Sequence, residues 1–168
     1  MKVFGIVGWK NNGKTGLMVR LVAEFTRRGL RVSTIKHAHH SFDVDHAGKD
    51  SYRHREAGAV EVLLASRERW ALMRELRDQA APEPRLADHL ARLSPVDLVL
   101  VEGYKFDDHP KIEAHRAATG QKLIADDDKG VVAVASDAPL EGLELPVFDL
   151  DDTDSIADFI LARTGLYR

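Results

Sequence analysis

Residues 8–15 of the chain read GWKNNGKT, which fits the pattern G-x-x-x-x-G-K-[ST]. Gly8 and Gly13 allow the backbone to turn tightly, so that its N–H groups can closely approach a phosphate. Lys14 has the charge and the reach to contact the outer phosphates of a nucleotide, and the Thr15 hydroxyl suits Mg²⁺. The stretch therefore predicts a phosphate-binding loop.

The neighbouring residues support this prediction. Asn11 and Asn12 belong to the residue types that tolerate left-handed backbone. The apolar run Val3–Val7 precedes the loop, and apolar residues at helical spacing follow it, so the positive end of a helix points at the same place. The predicted nucleotide-binding set of this loop is Gly8, Asn11, Asn12, Gly13, Lys14, Thr15 and Gly16.

A phosphate-binding loop needs an acid at the end of a neighbouring strand to hold Mg²⁺ directly or through water. The sequence DLVLVEGY at residues 97–104 supplies Glu102 directly after the most apolar run of the chain. Gly103 then lets the chain turn away. Thr15 and Glu102 are the predicted metal-side residues.

The segment from Lys36 to Asp50 is unusually rich in polar residues, with four histidines, three aspartates and two lysines. Asp43 and Asp45 are two positions apart and face the same way in extended backbone. Either could orient an attacking water or reach Mg²⁺ through water, so both join Lys14 as predicted catalytic residues. The histidines at 37, 39 and 40 fit contact with an anion or substrate best, then solvent, then a zinc site.

The sequence lacks the guanine-selective pattern N-K-x-D. Its nearest substitute is VAVASDAP at residues 132–139, where Asp137 follows a predicted strand and could pair with the N1 and N2 donors of guanine. A plain loop aspartate is an equally good interpretation, because loops favour aspartate.

Composition limits the class of protein. The chain has 168 residues, no cysteine and a net charge of -3, which predicts one globular domain over residues 1–168 without disulfides or thiolate metal sites. Nothing resembles a signal peptide or a membrane helix, so the expected location is the cytoplasm and no membrane partner is expected.

Residues 1–60 carry 11 Lys and Arg against five Asp and Glu, which suits an anionic ligand. The negative total charge makes nucleic acid an unexpected partner.

Predicted strands and helices alternate along the chain, which indicates an α/β fold with a mostly parallel sheet and helices on both faces. The segment 70–76 fits either a strand or a helical turn, and Asp154 or Ser155 is the expected cap of the last helix. The predicted strands are Val3–Val7, Arg31–Ile35, Val60–Ala65, Val96–Val101, Val131–Ala135 and Val147–Phe148, and the predicted helices are Lys14–Arg28, Ser51–Ala57, one through Leu86, Leu90 and Leu93, and Ser155–Arg163.

These motifs together resemble those of the MobB family, molybdopterin-guanine dinucleotide biosynthesis protein B. The resemblance spans nearly the whole chain in the same order, and its most specific part is IKHAHHSFDVDHAGKDSYRHREAGA. Residues 9–12 depart from the serine- and glycine-rich wording usual in the family. The blocks that carry the resemblance are residues 8–15, 35–59, 69–73, 98–105, 110–116 and 133–137.

The resemblance implies a GTP-binding protein with weak GTPase activity, usually dimeric, with Mg²⁺ and GTP as cofactors. It also implies an adapter for the guanylyltransferase that joins GMP to molybdopterin. Under it, the P-loop residues bind phosphates and Mg²⁺ with Glu102, and a second group lies near the γ-phosphate. That group is His37, His39, Asp43 and Asp45. A third group would meet the pterin phosphate or the partner, and it consists of Lys105, Lys111 and Arg116.

Two other functions fit parts of the sequence. The histidine-rich segment fits a metallochaperone GTPase for nickel or cobalt insertion, although the lack of cysteine argues against it. The segment Ser66–Arg77, rich in arginine, could serve as the lid of a small-molecule kinase. It also fits a strand pair at a sheet edge or a dimer contact, which we prefer.

Overall fold

The structure is a computed structural model that describes residues 1–38, 42–78 and 80–167. The predicted site residues His39 and His40 therefore lie outside the described residues. The chain forms two compact units, the first made of Met1–His37 and Arg85–Arg168 and the second of Ala38–Pro84. The prediction of one functional domain over residues 1–168 stays a prediction.

The first unit contains a parallel sheet whose strands follow the order β2-β5-β1-β6-β7-β8. The second contains a short helix and an antiparallel hairpin, β3-β4. The strands are β1 Lys2–Val7, β2 Val32–Lys36, β3 Glu61–Ala65, β4 Trp70–Arg74, β5 Leu98–Glu102, β6 Lys111–His115, β7 Val131–Ser136 and β8 Val147–Asp149, and the helices are α1 Lys14–Arg27, α2 Asp50–Glu56, α3 Leu86–Leu90 and α4 Thr153–Thr164.

Helices cover both faces of the six-stranded sheet. On one face, α1 and α4 contribute Leu21 and Ile160 to the main apolar core, which also contains Phe4 and Ile6 of β1. On the other face, Leu86 of α3 packs in a separate cluster with residues of β5. The predicted α/β fold with a mostly parallel sheet is confirmed. In the described part of the chain, no helix is both long and apolar enough to cross a membrane.

Strand β6 was not predicted. Its sequence KIEAH alternates polar and apolar residues as a half-buried strand does, yet both of its faces are buried. Its residues Ile112 and Ala114 join the main core, while Lys111, Glu113 and His115 point to the opposite face and are also buried. Lys111 Nζ donates to Asp128 Oδ2 at 2.8 Å and to the carbonyls of residues 105 and 107. The buried Lys111 ammonium thus has three hydrogen-bond partners, as burial requires.

Glu113 shows the same principle on the carboxylate side. Its two oxygens accept the backbone N–H groups of Ile124 and Ala125, both at 2.9 Å, at the start of a 3₁₀ turn. Burial raises the pKa of Glu113 above its ordinary value, and the two N–H groups oppose that rise. The strand therefore fixes the following loop through a buried acid.

The connection from β5 to β6, residues 103–110, crosses β1 without a helix. It passes over Gly5, where a Cβ atom would lie 2.5 Å from Nε2 of His109 and 2.8 Å from Cβ of Lys111. Gly5 N also donates to the carbonyl of Pro110 at 2.8 Å. The missing side chain at Gly5 allows this close crossing, which places β6 beside β1.

The second unit settles the ambiguous segment 70–76. Trp70–Arg74 is strand β4, and it pairs with β3 so that Leu63 lies opposite Leu72 and Ala65 opposite Trp70. The predicted cap of the last helix was wrong, since α4 begins at Thr153 and Asp152 is its cap. The Asp152 carboxylate accepts the N–H of Ser155 at 3.1 Å.

We expect Gly5→Ala to lower the free energy of unfolding by about 1–3 kcal/mol, because its new methyl group would overlap the crossing loop. Urea denaturation measures this change. Gly16→Ala is the matched control. The nearest atom to a Cβ at Gly16 would be Nη1 of Arg20 at 3.6 Å, and Gly16 lies in helix α1, where alanine is favourable. An equal loss in both variants would contradict the steric explanation.

Candidate functional site

The loop between β1 and α1 has the backbone that the pattern requires. Gly8 has φ 145°, and a Cβ there would lie 2.4 Å from the carbonyl oxygen of Ala114 in β6. Asn11 is left-handed at φ 68°, as expected, and Gly13 has φ 88°. Asn12 is not left-handed; it is fully buried, and its Oδ1 accepts the Thr119 hydroxyl at 2.7 Å.

The first turn of α1 faces this loop with its backbone donors available. Its N-cap, Gly13, makes no side-chain hydrogen bond to the turn, and the turn holds no acidic residue. The N–H groups at a helix start carry partial positive charge and attract anions. The described loop and helix therefore form a phosphate-binding arrangement.

Lys14 is folded back on this loop. Its Nζ donates to the Trp9 carbonyl at 2.7 Å. Burial lowers the pKa of Lys14, Glu102 raises it, and the ammonium groups of Lys105 and Lys36 lower it further. A phosphate at the loop would replace a neutral carbonyl with an anion beside this ammonium, which is a stronger interaction.

One flank of the loop carries the acid. The Thr15 hydroxyl donates to Oε1 of Glu102 at 3.4 Å, and Nζ of Lys36 lies 3.6 Å from the same oxygen. Glu102 is only 8% exposed and ends β5, beside Ile6 of β1. The structure thus brings together the two residues predicted for the metal side, and their hydroxyl and carboxylate oxygens are the ligand types that Mg²⁺ prefers.

The other flank lies at the ends of β6 and β7. Arg116 follows β6, and its Nη1 lies 3.6 Å from Oδ2 of Asp137, which follows β7. Oδ1 of Asp137 accepts the N–H of Ala117 at 2.9 Å. A Cβ on Gly13 would lie 3.2 Å from Nε of Arg116, so this guanidinium borders the phosphate loop.

Trp9 connects the phosphate loop to two other segments. Its indole N–H donates to the Lys122 carbonyl at 2.8 Å, and the ammonium of Lys105 lies 4.0 Å from its ring centroid. The predicted ligand Lys105 is therefore engaged in a cation–π contact at the edge of the loop.

Comparison with known proteins identifies the family of this chain. The family model "Molybdopterin guanine dinucleotide synthesis protein B" (MobB) matches residues 3–137. The "Molybdopterin-guanine dinucleotide biosynthesis adapter protein" of Escherichia coli (strain K12) is 39% identical over 162 residues, which cover 95% of this chain and 91% of that protein. This chain belongs to the MobB family.

Further MobB relatives agree. The adapter protein of the same name from Haemophilus influenzae is 44% identical over 161 residues, covering 94% of this chain and 86% of that protein. The crystal structure of a MobB homologue from Bacillus stearothermophilus superposes with a TM-score of 0.71 at 34% identity, covering 99% of this chain and 100% of the other. This chain therefore shares its fold with a MobB homologue.

Two residues that the MobB resemblance assigned to ligands have other partners. The ring of His37 stacks on Tyr104 with centroids 4.7 Å apart, at the acid flank of the loop. Lys111 was expected to meet the pterin phosphate or the partner protein, and this expectation was wrong. Lys111 is fully buried and is held by Asp128 and two carbonyls, because it lies on the covered face of β6.

Asp43 and Asp45 share one partner in the second unit. Both carboxylates pair with the guanidinium of Arg55, which also binds Glu75 at 2.8 Å. Burial raises the pKa of Asp45, but hydrogen bonds from Arg55 and Ser51 outweigh it, so the pKa lies below its ordinary value. The catalytic role of the two aspartates stays a prediction.

We expect Glu102→Gln to weaken Mg²⁺-dependent nucleotide binding by about 10- to 100-fold, because a neutral amide attracts the cation less. Nucleotide binding by the same variant, measured with EDTA to remove Mg²⁺, should change little. Asp97→Asn is the control, because Asp97 immediately precedes β5, at the opposite end from Glu102, and its carboxylate accepts the N–H of Arg31. Equal loss with and without Mg²⁺ would contradict a metal-side role for Glu102.

Proposed function

We propose that this chain is an adapter in molybdopterin-guanine dinucleotide synthesis that binds GTP with Mg²⁺ at residues 8–16. Its relatives in Escherichia coli and Haemophilus influenzae carry this adapter name. The observation that carries the nucleotide half is the Thr15–Glu102 contact of 3.4 Å beside the uncapped start of α1. The proposed partners are molybdopterin and the guanylyltransferase that attaches GMP to it.

The residues present suit the chemistry of a bound triphosphate. The N–H groups of the loop and of α1 would surround the phosphate oxygens, and Lys14 would leave the Trp9 carbonyl to contact them. Thr15 and Glu102 would hold Mg²⁺, which supplies positive charge to the β- and γ-phosphates. Lys36 adds charge at the same flank through its contact with Glu102.

Guanine is the base that the second flank suits. Asp137 uses Oδ1 for the Ala117 N–H and Oδ2 for Arg116, and each carboxylate oxygen has a further lone pair. These lone pairs can accept the N1–H and N2–H groups of guanine. Adenine presents an acceptor at N1, so the same carboxylate would repel it.

Weak GTPase activity completes the proposal. The carboxylates suggested to orient water, Asp43 and Asp45, are both paired with Arg55. The hydrogen bonds from Arg55 help to hold the pKa of Asp45 below its ordinary value, so this carboxylate accepts a proton poorly. Hydrolysis by the chain alone is therefore slow under this proposal, and the partner enzyme uses the bound GTP.

The alternatives have less support. In the described ranges 1–38, 42–78 and 80–167, no group of three or more His, Asp or Glu side chains is arranged to hold a metal ion, and His39 and His40 lie outside these ranges. The segment suggested as a kinase lid contains strand β4, paired along its whole length with β3. Its exposed Trp70 and Leu72 suit a contact between two copies of the chain, and a homodimer remains part of the proposal.

Calorimetry with GTP, GDP and ATP in the presence of Mg²⁺ tests the central claim. We expect selective GTP and GDP binding that Lys14→Ala weakens by about 10- to 100-fold, because a charge-assisted phosphate contact is lost. Lys10→Ala is the matched control, since it removes an exposed lysine of the same loop outside the fixed positions of the pattern. Failure of the intact chain to bind any nucleotide would overturn the proposal.

Asp137→Asn tests the assignment of the base. An amide can donate to the C2 carbonyl of xanthine but repels the N2–H group of guanine with its own N–H donors. We therefore expect the variant to lose at least about tenfold in GTP affinity and to gain affinity for xanthosine triphosphate. Competition binding of the two nucleotides measures the switch, and unchanged preference for GTP would rule out Asp137 as the base-reading group.

A further inference from the structure

The phosphate loop is enclosed from the β6 side by a connected group of residues. The Thr119 hydroxyl binds Oδ1 of Asn12 at 2.7 Å, and Arg116 reaches the Cα of Gly13 closely enough that a Cβ there would lie 3.2 Å from Nε and 3.6 Å from Nη2. Asp137 binds Arg116 and the N–H of Ala117. We call Arg116, Ala117 and Asp137 the β6–β7 flank.

The two flanks of the loop are on opposite sides of β1. Glu102 and Lys36 end β5 and β2, whereas Arg116 and Asp137 follow β6 and β7. The Thr15–Glu102 contact assigns the metal and the outer phosphates to the first side. Under the proposed GTP binding, the nucleoside end of the nucleotide extends toward the β6–β7 flank, where the Arg116 guanidinium borders Gly13.

We propose that Arg116 is a specificity residue, whose guanidinium stacks on the guanine base while its ion pair with Asp137 directs that carboxylate at the base edge. This inference rests on the proposed GTP binding. A guanidinium is planar and weakly hydrated, so it stacks on an aromatic ring and accepts an ion pair in its plane at the same time. The 43% exposure of its side chain leaves one side open to a ligand.

Asp137 alone would be a poorly fixed reader of the base. It follows β7 directly, and its backbone N–H makes only a long contact of 3.4 Å to the His115 carbonyl. Its carboxylate is fixed by the Ala117 N–H and by Arg116. Removing the guanidinium would therefore remove both the stacking surface and one of these two restraints.

The test uses tripolyphosphate as a probe that has phosphates and no base. Arg116→Ala is expected to weaken GTP and GDP by the same factor of about 10 to 100, to weaken ATP less, and to leave tripolyphosphate binding unchanged. Arg116→Lys should recover part of the GTP affinity, because an ammonium retains a cation–π contact. Unchanged tripolyphosphate binding also shows that the variant is folded.

Arg27→Ala is the control, since it removes the same charge about 20 Å away at the other end of α1. A matching loss of tripolyphosphate affinity in Arg116→Ala would overturn the proposal, because it would assign Arg116 to the phosphates. Equal losses of ATP and GTP, or no loss of GTP, would also overturn it. If the intact chain binds tripolyphosphate but no nucleotide, both this proposal and GTP binding fail.

Discussion

Glycines at positions 5, 8 and 13, in β1 and the loop after it, control how closely β6 and its neighbouring segments can approach. A Cβ at Gly5 would overlap the crossing loop, one at Gly8 would meet the Ala114 carbonyl at 2.4 Å, and one at Gly13 would crowd Arg116. These contacts involve β6 or the segments on either side of it, and a Cβ at Gly13 would also lie 3.1 Å from Leu150. The three glycines therefore let β6 and its neighbouring residues pack directly against β1 and the phosphate loop.

The pairing of β6 with β1 explains why part of the fold could be predicted and part could not. Apolar runs such as Val3–Val7 and Val96–Val101 indicate buried parallel strands by composition alone, and the structure contains both strands with shifts of one or two residues at their ends. KIEAH has three polar residues among five. Its burial depends on Asp128 and on backbone groups of distant loops, which no local pattern encodes.

The same distinction holds within the site. The phosphate loop is a local pattern, and Glu102 follows from the rule that ligands bind at the carboxyl ends of parallel strands, so both could be located from the sequence. The Arg116–Asp137 pair could not be located from the sequence, because its residues are 21 positions apart and Arg116 follows a strand, β6, that was not predicted. Likewise, the two aspartates of the histidine-rich segment gave no sign that Arg55 would hold both.

Under the proposed function, the charges around the loop serve to hold a nucleotide. The N–H groups at the start of α1 have no side-chain cap, and the Lys14 ammonium donates to the neutral Trp9 carbonyl, which a phosphate would replace. Contacts that are equally strong in the bound substrate and in the transition state lower the dissociation constant without accelerating the chemical step. Acceleration needs a charge that engages only as the γ-phosphate departs. Arg116 lies at the opposite side of the loop from Glu102 and is paired with Asp137. Under the proposed function, this arrangement holds GTP for the partner enzyme.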